Sequence, residues 1–206
     1  MLTRRTLTAA GAAVLALSLS TGSAFAASAV VGEAAPGFVG DTSDGTGVSL
    51  ADYAGKTVVL EWTNHDCPYV KKHYDTGNMQ GLQTAAADED VVWLSVISSA
   101  PGKQGHVSGA KANTLTTSRN AAPAAVVLDE SGEIGKLYGA KTTPHMYVID
   151  GEGVLRYAGA IDDKRSTKPA TVEGATNYVS LALADMAEGR DVGIAETAPY
   201  GCSVKY

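Results

Sequence analysis

The sequence has few aromatic residues, no excess of basic residues and no long apolar run. Phe, Trp and Tyr make up only 6% of the chain, which leaves little material for a surface that stacks nucleic-acid bases. Basic residues number 16 against 22 acidic ones, and the resulting charge of −6 disfavours binding to phosphate backbones. No apolar stretch reaches the roughly 20 residues that a membrane-spanning helix requires. These absences argue against a nucleic-acid partner and against a membrane span.

The first 26 residues have the composition of a secretion signal. Arg4 and Arg5 precede an apolar stretch at residues 9–19, and a small-x-small cleavage site ends at Ala26. The arginine pair also resembles a twin-arginine signal, so two export routes stay open. We expect cleavage after Ala26; the good cleavage site disfavours the alternative, an uncleaved signal anchor. The mature chain would keep 14 basic and 22 acidic residues and would work outside the cytoplasm, where disulfides persist.

Residues 27–206 are predicted to form one domain, because no linker is visible and the chain is too short for two large domains. Apolar, β-branched runs predict strands, listed as residues 57–63, 91–98, 124–129, 145–150 and 154–160. Helical spacing predicts helices, listed as 68–86 with a break near Gly77, part of 100–122, 133–138 and 171–188.

A hairpin turn at Asp44-Gly45 precedes these elements, and a C-terminal tail at residues 190–206 follows them. Strands and helices alternate along the chain, and the late hairpin must pair antiparallel. The sequence therefore predicts an α/β fold with a central mixed sheet flanked by helices.

Cys67 lies where a buried strand ends and a helix begins, a position that favours a reactive thiolate. Pro68 follows it, and proline is preferred at the first position of a helix. Free N–H groups and the positive end of the helix dipole stabilise a thiolate there, so the pKa of the thiol falls. Lys71, one helical turn further on, would favour the thiolate as well. The alternative is a buried structural cysteine, which the polar residues at 64–66 disfavour.

Cys202 is the only other cysteine in the sequence. As a partner of Cys67 it has two possible roles: a static disulfide that stabilises the fold, or a resolving thiol that attacks the oxidised Cys67. A cysteine on a glycine-containing tail should be mobile, and mobility favours the resolving role. A free thiol remains a third possibility.

Thr143-Pro144 lies at the entry to the strand predicted at residues 145–150. A proline at the entry to a central strand indicates a special feature such as a cis peptide bond. A loop proline in the ordinary trans form is the alternative.

Several segments in order resemble redoxins, thioredoxin-fold proteins related to alkyl hydroperoxide reductase and thiol-specific antioxidant. The start of the resemblance is the stretch from Val31 to Leu60, with its VGEAAPGF opening. A narrower peroxiredoxin-like group is similar in further segments, listed as WTNHDCPYVKKHY at residues 62–74, GNMQ at 77–80, Thr143-Pro144 and PYGCSVKY at 199–206. The resemblance covers nearly all of residues 30–206 and is weakest at 100–122.

The resemblance implies a thioredoxin-like fold, with Cys67 as the redox-active cysteine and Thr143-Pro144 as a cis-proline beside it. It also gives Cys202 a family position near the C-terminus. The sequence departs from related patterns at two positions: Val70 stands where a thioredoxin CxxC motif has its second cysteine, and Asn64 where a typical peroxidatic enzyme has Thr or Ser.

The activating arginine of those peroxidatic enzymes has no clear counterpart in this sequence. Thr63 lies one place before the position of their Thr or Ser, and Arg119 and Arg156 are only candidates for their arginine. These departures favour general thiol–disulfide chemistry over a dedicated peroxidase.

The sequence thus predicts an exported thiol-dependent oxidoreductase, an enzyme that acts on disulfides or hydroperoxides and is regenerated by an external thiol reductant. Cys67 would be the nucleophile and Cys202 the resolving thiol. The supporting residues are predicted to be Trp62 and Pro144 in the walls of the groove, Asn64 and Lys71 near the thiolate, and Thr143 beside the proline.

No motif in the sequence calls for a metal or another cofactor; His65, Cys67 and His73 lack the spacing of a metal site. The alternative to an enzyme is a non-catalytic exported binding module in which Cys67 and Cys202 form a permanent structural disulfide.

Overall fold

The computed structural model describes residues 29–206, and the predicted signal at residues 1–26 therefore lies outside the described residues. The strands are β1 (Val39–Thr42), β2 (Gly47–Ser49), β3 (Val58–Trp62), β4 (Val92–Ile97), β5 (Ala125–Leu128), β6 (Thr142–Thr143), β7 (His145–Ile149), β8 (Leu155–Gly159) and β9 (Cys202–Ser203). The α-helices are α1 (Pro68–Asp75), α2 (Asn78–Asp88), α3 (Gly109–Ser118), α4 (Glu133–Tyr138) and α5 (Tyr178–Ala187), and short 3₁₀ turns occur at Leu50–Tyr53 and Pro169–Thr171.

Seven strands form one mixed sheet in the order β2-β1-β5-β4-β3-β7-β8. The three apolar strands β3, β4 and β5 pair in parallel, whereas β7 pairs antiparallel with both β3 and β8. The N-terminal hairpin of β1 and β2 extends the same sheet by pairing β1 with β5. The mixed sheet and both hairpins are confirmed.

Strand β3 separates two buried clusters, because successive side chains of a strand point to opposite faces of a sheet. Val59 lies in one cluster with Cys67 and Val179, and we name this the α1-side core. Leu60 and Trp62 lie in the other, the α4-side core, together with residues of α4 and β7. Every residue of β3 is buried, as its largely apolar composition predicts.

The break predicted near Gly77 is confirmed, and it separates α1 from α2. Gly77 has φ of +75°, a left-handed conformation that glycine adopts without the steric cost of a side chain. The break turns the chain so that α2 packs beside α1 and against β4.

The helix predicted over residues 171–188 begins later than predicted, at Tyr178. The first half is wrong because Gly174 has φ of +71° and because Asn177 starts the helix instead. The side-chain oxygen of Asn177 accepts a hydrogen bond from the N–H of Ser180 at 3.0 Å, which is the contact of an N-cap. None of the helices within residues 29–206 combines the length and the apolar character needed to cross a membrane.

Candidate functional site

Cys67 occupies the N-cap position of α1, directly after the loop that leaves β3. Its N–H donates to the carbonyl oxygen of Asn64 at 3.0 Å, and its own carbonyl accepts the N–H of Lys71 at 2.9 Å as the first bond of the helix. The side chain is 0% exposed. The sequence thus places the thiol at the positive end of a helix and in the α1-side core.

The peptide bond between Thr143 and Pro144 is cis, in agreement with the resemblance and against the trans alternative. The thiol of Cys67 donates to the Thr143 carbonyl oxygen at 3.0 Å. The hydroxyl oxygen of Thr143 is buried and has no hydrogen-bond partner among residues 29–206. A hydroxyl without a partner therefore lies on the residue whose carbonyl contacts the sulfur.

Cys202 lies on β9, which pairs antiparallel with β6 so that Cys202 stands opposite Thr143. Its side chain packs against the α1-side core that contains Cys67. Both cysteines are free thiols in this structure. The fold thus brings the two cysteines of the chain to the same side of Thr143, although they lie far apart in the sequence.

The two thiols shift each other's pKa in opposite directions. Burial acts to raise the pKa of Cys67, but hydrogen bonds with Cys202 and Thr143 outweigh it and hold the pKa below its ordinary value. Burial, followed by the interaction with Cys67, raises the pKa of Cys202 to about 12. Because a second negative charge beside the first is unfavourable, the pair loses one proton easily and the next with difficulty. The two shifts favour a thiolate at Cys67 beside a protonated thiol at Cys202.

The tail around Cys202 is docked along its length, which differs from the mobile segment that its glycine suggests. The buried hydroxyl of Tyr200 donates to Asp162. Beyond Cys202, the carbonyl of Lys205 accepts the N–H of Ala100 at 2.8 Å. The hydroxyl of Tyr206 donates to the carbonyl of Ala140 at 2.8 Å. Contacts on both sides of Cys202 therefore fix its position.

The side-chain amide of Asn64 fixes the loop that leads from β3 to Cys67. Its side-chain oxygen accepts the N–H of Asp66 at 2.9 Å, and its side-chain N–H donates to the carbonyl of Gln104 at 3.3 Å. The Cα of Gly105 lies so close that a Cβ there would overlap the Asn64 side chain. Asn64 is buried by this packing and acts on the backbone of the loop.

The other residues predicted to support the site differ in exposure and in the face of the sheet on which they lie. Pro144 adjoins Thr143, whereas Lys71 is exposed on the first turn of α1. Trp62 is fully buried in the α4-side core, on the opposite face of β3 from Cys67. Its indole N–H donates to Ser98 Oγ at 2.9 Å. Trp62 therefore supports the end of β3 from the face of the sheet opposite to Cys67.

The two arginine candidates lie at different places. The guanidinium of Arg119 donates to the carbonyl of His65 at 3.0 Å and lies 4.9 Å from the ring centre of Tyr74. Arg156 forms an ion pair with Asp150 on the β7–β8 hairpin. Arg119 is thus the arginine of the two that borders the loop leading to Cys67.

Sequence reasoning missed a fully buried acid, Glu61, on the α1 side of β3. Its carboxylate accepts hydrogen bonds from Tyr74 at 3.0 Å, Trp93 at 2.9 Å, Ser95 at 3.1 Å and Gln83 at 3.3 Å. Burial is the largest influence and raises the pKa of Glu61 above its ordinary value. An acidic residue inside the apolar run of β3 is the signal that could have identified it.

A second buried cluster was also missed, and it lies under the tail. Lys72, Asp162 and Tyr200 meet there, with the Nζ of Lys72 3.4 Å from Asp162 Oδ2. His73 is fully buried beside them, 3.8 Å from the same carboxylate. Within residues 29–206, no three His, Cys, Asp or Glu side chains are grouped as metal ligands would be.

Comparison with solved structures gives the fold. An uncharacterized conserved protein from Geobacillus kaustophilus is 25% identical, with a TM-score of 0.75 over 86% of this chain and 92% of that one. A hypothetical protein from Sinorhizobium meliloti is 20% identical, with a TM-score of 0.73 over 87% and 96%. The thioredoxin domain of a thiol-disulfide oxidoreductase from Bacteroides vulgatus is 22% identical, with a TM-score of 0.51 over 71% and 97%. The predicted thioredoxin-like fold is thereby confirmed.

No curated protein matches the chain at a significant level. The model of the AhpC/TSA family matches residues 31–158, more than half of the sequence, and this range includes Cys67 at the N-terminus of α1 and Thr143-Pro144 beside it. A redoxin sequence, a thioredoxin-like fold and a thiol at the start of the first long helix thus agree, and the chain belongs to the AhpC/TSA family.

Proposed function

We propose that the protein is an exported thiol-dependent oxidoreductase in which Cys67 is the redox nucleophile and Cys202 the resolving thiol. The observation that carries the proposal is the pair itself: two distant cysteines lie beside one another at a helix N-terminus, and their interaction lowers the pKa of Cys67 and raises that of Cys202. A thiolate beside a protonated thiol is the starting state that disulfide exchange requires.

With a disulfide as substrate, the Cys67 thiolate attacks one sulfur and breaks the substrate S–S bond. One substrate thiolate leaves, and a mixed disulfide with Cys67 remains. The sulfur of Cys202 then attacks Cys67, forms the Cys67–Cys202 disulfide and releases the second substrate thiolate, which takes the proton of Cys202. The substrate gains two electrons, and an external thiol reductant returns them to the protein.

With a hydroperoxide as substrate, the Cys67 thiolate attacks the terminal oxygen and breaks the O–O bond. The alkoxide or hydroxide that leaves takes up a proton, and Cys67 becomes a sulfenic acid. Attack by Cys202 on that sulfur forms the same disulfide and releases water. Both substrate classes therefore lead to one oxidised product.

Disulfides are the substrate class that the site favours. The interactions that lower the pKa of Cys67 come mainly from Cys202 and Thr143. Arg119, the nearer of the two candidate arginines, is engaged with the carbonyl of His65. Thr63, one place before the position of the peroxidatic Thr or Ser, has a buried hydroxyl with no partner among residues 29–206. Neither residue is one of the main groups that lower the pKa of Cys67, which supports disulfides over peroxides.

The experiment that tests the proposal treats reduced protein with one equivalent of hydrogen peroxide or of oxidised glutathione and maps the products by mass spectrometry. Wild type should react faster than a free thiol and end as the Cys67–Cys202 disulfide. Cys67→Ser should abolish the reaction, because the nucleophile is lost. Cys202→Ser should keep the first step and stop at a mixed disulfide or a sulfenic acid.

The comparison of the two reagents identifies the substrate class. A large acceleration with hydrogen peroxide alone would show a two-cysteine peroxidase and overturn the preference for disulfides. A Cys67 that reacts with both reagents no faster than free cysteine would contradict the enzyme proposal altogether.

A permanent structural disulfide is the second candidate, and the full burial of Cys67 and the docked tail favour it. A structural bridge predicts a large loss of stability on reduction and a very low reduction potential. A catalytic bridge predicts a modest loss and a potential within reach of glutathione or dithiothreitol buffers. Equilibration of the protein in such buffers, followed by thermal unfolding of both forms, separates the two.

The export part of the proposal rests on the N-terminal sequence. Arg4 and Arg5, the apolar stretch and the small-x-small site ending at Ala26 match the parts of a secretion signal in order. N-terminal sequencing of protein recovered outside the cytoplasm of the producing cells should give Ala27 as the first residue. Intact Met1 on a cytoplasmic product would contradict it.

A further inference from the structure

A buried ion pair lies under the tail, and the proposed reaction assigns it no role. Lys72 is 1% exposed and Asp162 is 2% exposed, and the Lys72 Nζ lies 3.4 Å from Asp162 Oδ2. Removing two charges from water costs free energy that their attraction recovers only with good geometry and further hydrogen bonds. The stability of this buried pair therefore depends on the groups that complete its hydrogen bonding.

Tyr200 supplies those hydrogen bonds from the tail. Its hydroxyl donates to Asp162 Oδ1 and accepts from Lys72 Nζ at 3.2 Å. Lys72 also donates to the carbonyl of Lys164 at 3.0 Å. The ring of Tyr69 packs against that of Tyr200, with 5.7 Å between ring centres. Tyr200 is thus fastened to the α1-side core by both its hydroxyl and its ring.

A single residue, Gly201, joins Tyr200 to Cys202, and its backbone is closely packed. Gly201 has φ of +151° and lies so close to Thr143 that a Cβ would overlap the Thr143 backbone carbonyl. Cys202 follows at once and pairs with Thr143. The contacts of Tyr200 and of Gly201 therefore both restrict where the backbone of Cys202 can lie.

We propose that Tyr200 is a positioning residue for the resolving step: its hydrogen bonds to the buried Lys72–Asp162 pair hold Cys202 against Cys67. The proposal rests on the proposed function, because it assigns Tyr200 a part in the same thiol pair. The ion pair then has a fixed position inside the domain, and the hydrogen bonds of the Tyr200 hydroxyl hold the tail to it. Loss of these hydrogen bonds lowers the effective concentration of the Cys202 thiol at Cys67.

The test compares Tyr200→Phe, which removes the hydroxyl and keeps the ring, with Tyr69→Phe as a matched control. The Tyr69 hydroxyl lies in the same aromatic contact but makes no hydrogen bond within residues 29–206. Each protein is equilibrated in buffers of reduced and oxidised dithiothreitol, and the fraction of Cys67–Cys202 disulfide is measured. We expect the effective concentration to fall about tenfold or more in Tyr200→Phe, since hydrogen bonds to charged groups contribute that much. It should stay within about twofold in Tyr69→Phe.

A second variant displaces Cys202 and keeps the Tyr200 hydroxyl. Gly201→Ala changes no side chain of the buried cluster but adds a Cβ that overlaps the Thr143 backbone, so it should lower the effective concentration as Tyr200→Phe does. A double-mutant cycle of Tyr200→Phe with Asp162→Asn should be clearly non-additive, because Asp162→Asn removes the negative charge that strengthens the hydrogen bond that Tyr200→Phe removes. A purely structural role of Tyr200 would lower the unfolding temperature and leave the thiol equilibrium of the folded protein unchanged.

The outcomes distinguish this proposal from the function on which it rests. An effective concentration in Tyr200→Phe equal to that of wild type, with a reversible disulfide in both, would overturn the positioning role and leave the oxidoreductase proposal standing. A wild-type protein that forms no reversible disulfide would overturn both. A selective loss in Tyr200→Phe and Gly201→Ala supports both.

Discussion

At the scale of the residue, Thr143 has two polar groups that bear on Cys67, its backbone carbonyl and its side-chain hydroxyl. While Cys67 is a thiol, its S–H donates to the Thr143 carbonyl oxygen at 3.0 Å. The Thr143 hydroxyl, buried and without a partner among residues 29–206, is free to donate once the sulfur is a thiolate. We therefore expect the backbone of Thr143 to pair with the thiol of Cys67 and its hydroxyl to pair with the thiolate.

Thr143→Val removes the hydroxyl and keeps the shape and the backbone carbonyl. We expect the pKa of Cys67 to rise, because one hydrogen bond to the thiolate is lost. At pH 7 the alkylation of Cys67 by iodoacetamide should slow by about tenfold. The rate is measured against pH, and Thr143→Ser, which keeps a hydroxyl, should follow the wild-type curve. A valine variant with the wild-type curve would show that the hydroxyl does not reach the thiolate.

The residues of the site were predictable to different degrees. Cys67 could be found from its own neighbours, because a strand end followed by proline is a local signal. The cis bond at Thr143-Pro144 came only with the resemblance. Tyr200 and Asp162 could not be found, since their contact joins segments far apart in the sequence and neither segment shows it alone.

At the scale of the element, local signals were reliable where they were strong. The apolar β-branched runs of β3 and β4 and the break at Gly77 were predicted correctly. The start of α5 was not, because Val172 and Ala175 have helical spacing but belong to a turn containing Gly174. Asn177 was the better signal: a side chain that caps a helix outweighed the apolar spacing before it.

That cap gives a prediction for the stability of α5, the helix that contributes Val179 and Ala182 to the α1-side core. Asn177→Ala removes the side-chain oxygen that accepts the N–H of Ser180. The free energy of unfolding should fall by about 1 kcal/mol. Urea unfolding measures it, and Asn177→Asp, which keeps a capping oxygen, should retain most of the stability. Equal losses in both variants would contradict the capping role.

At the scale of the whole molecule, the tail differs most from expectation. The sequence suggests a mobile segment, but strand pairing at Cys202 and buried contacts at Tyr200 fix it to the domain. The contact partners of the tail lie in separate parts of the sequence, around Ala100, at residues 140–143 and at Asp162. Local composition describes the freedom of a segment in isolation and gives no information on the surface that receives it.

The whole molecule should also lose stability in acid, because two buried histidines resist protonation. Burial, aided by Lys72, lowers the pKa of His73 to about 4, and burial, aided by Lys141, lowers that of His145 to about 3. The ring nitrogen Nδ1 of His145 accepts the N–H of Lys141 at 3.3 Å, which favours the neutral ring. In the unfolded chain both imidazoles take up a proton near pH 6.5.

Stability from a neutral histidine is therefore present above pH 6.5 and is lost as the pH falls through the folded-state pKa. For His73 the free energy of unfolding should fall by about 3 kcal/mol between pH 6.5 and 4. Burial raises the pKa of Glu61, which acts in the opposite direction: its contribution is present below the ordinary pKa of a carboxyl and is lost as the pH rises.

Urea unfolding at a series of pH values between 4 and 7.5 measures these contributions. His73→Gln and His145→Gln should each make the curve of stability against pH flatter below pH 6.5, since one proton-binding group of the unfolded state is removed. Glu61→Gln should make the same curve steeper, because the opposing group is gone. The histidine variants and Glu61→Gln should therefore change the slope of stability against pH in opposite directions. A wild-type curve that is flat from pH 6.5 to 4, and stays flat in Glu61→Gln, would mean that the two histidines are protonated in the folded protein.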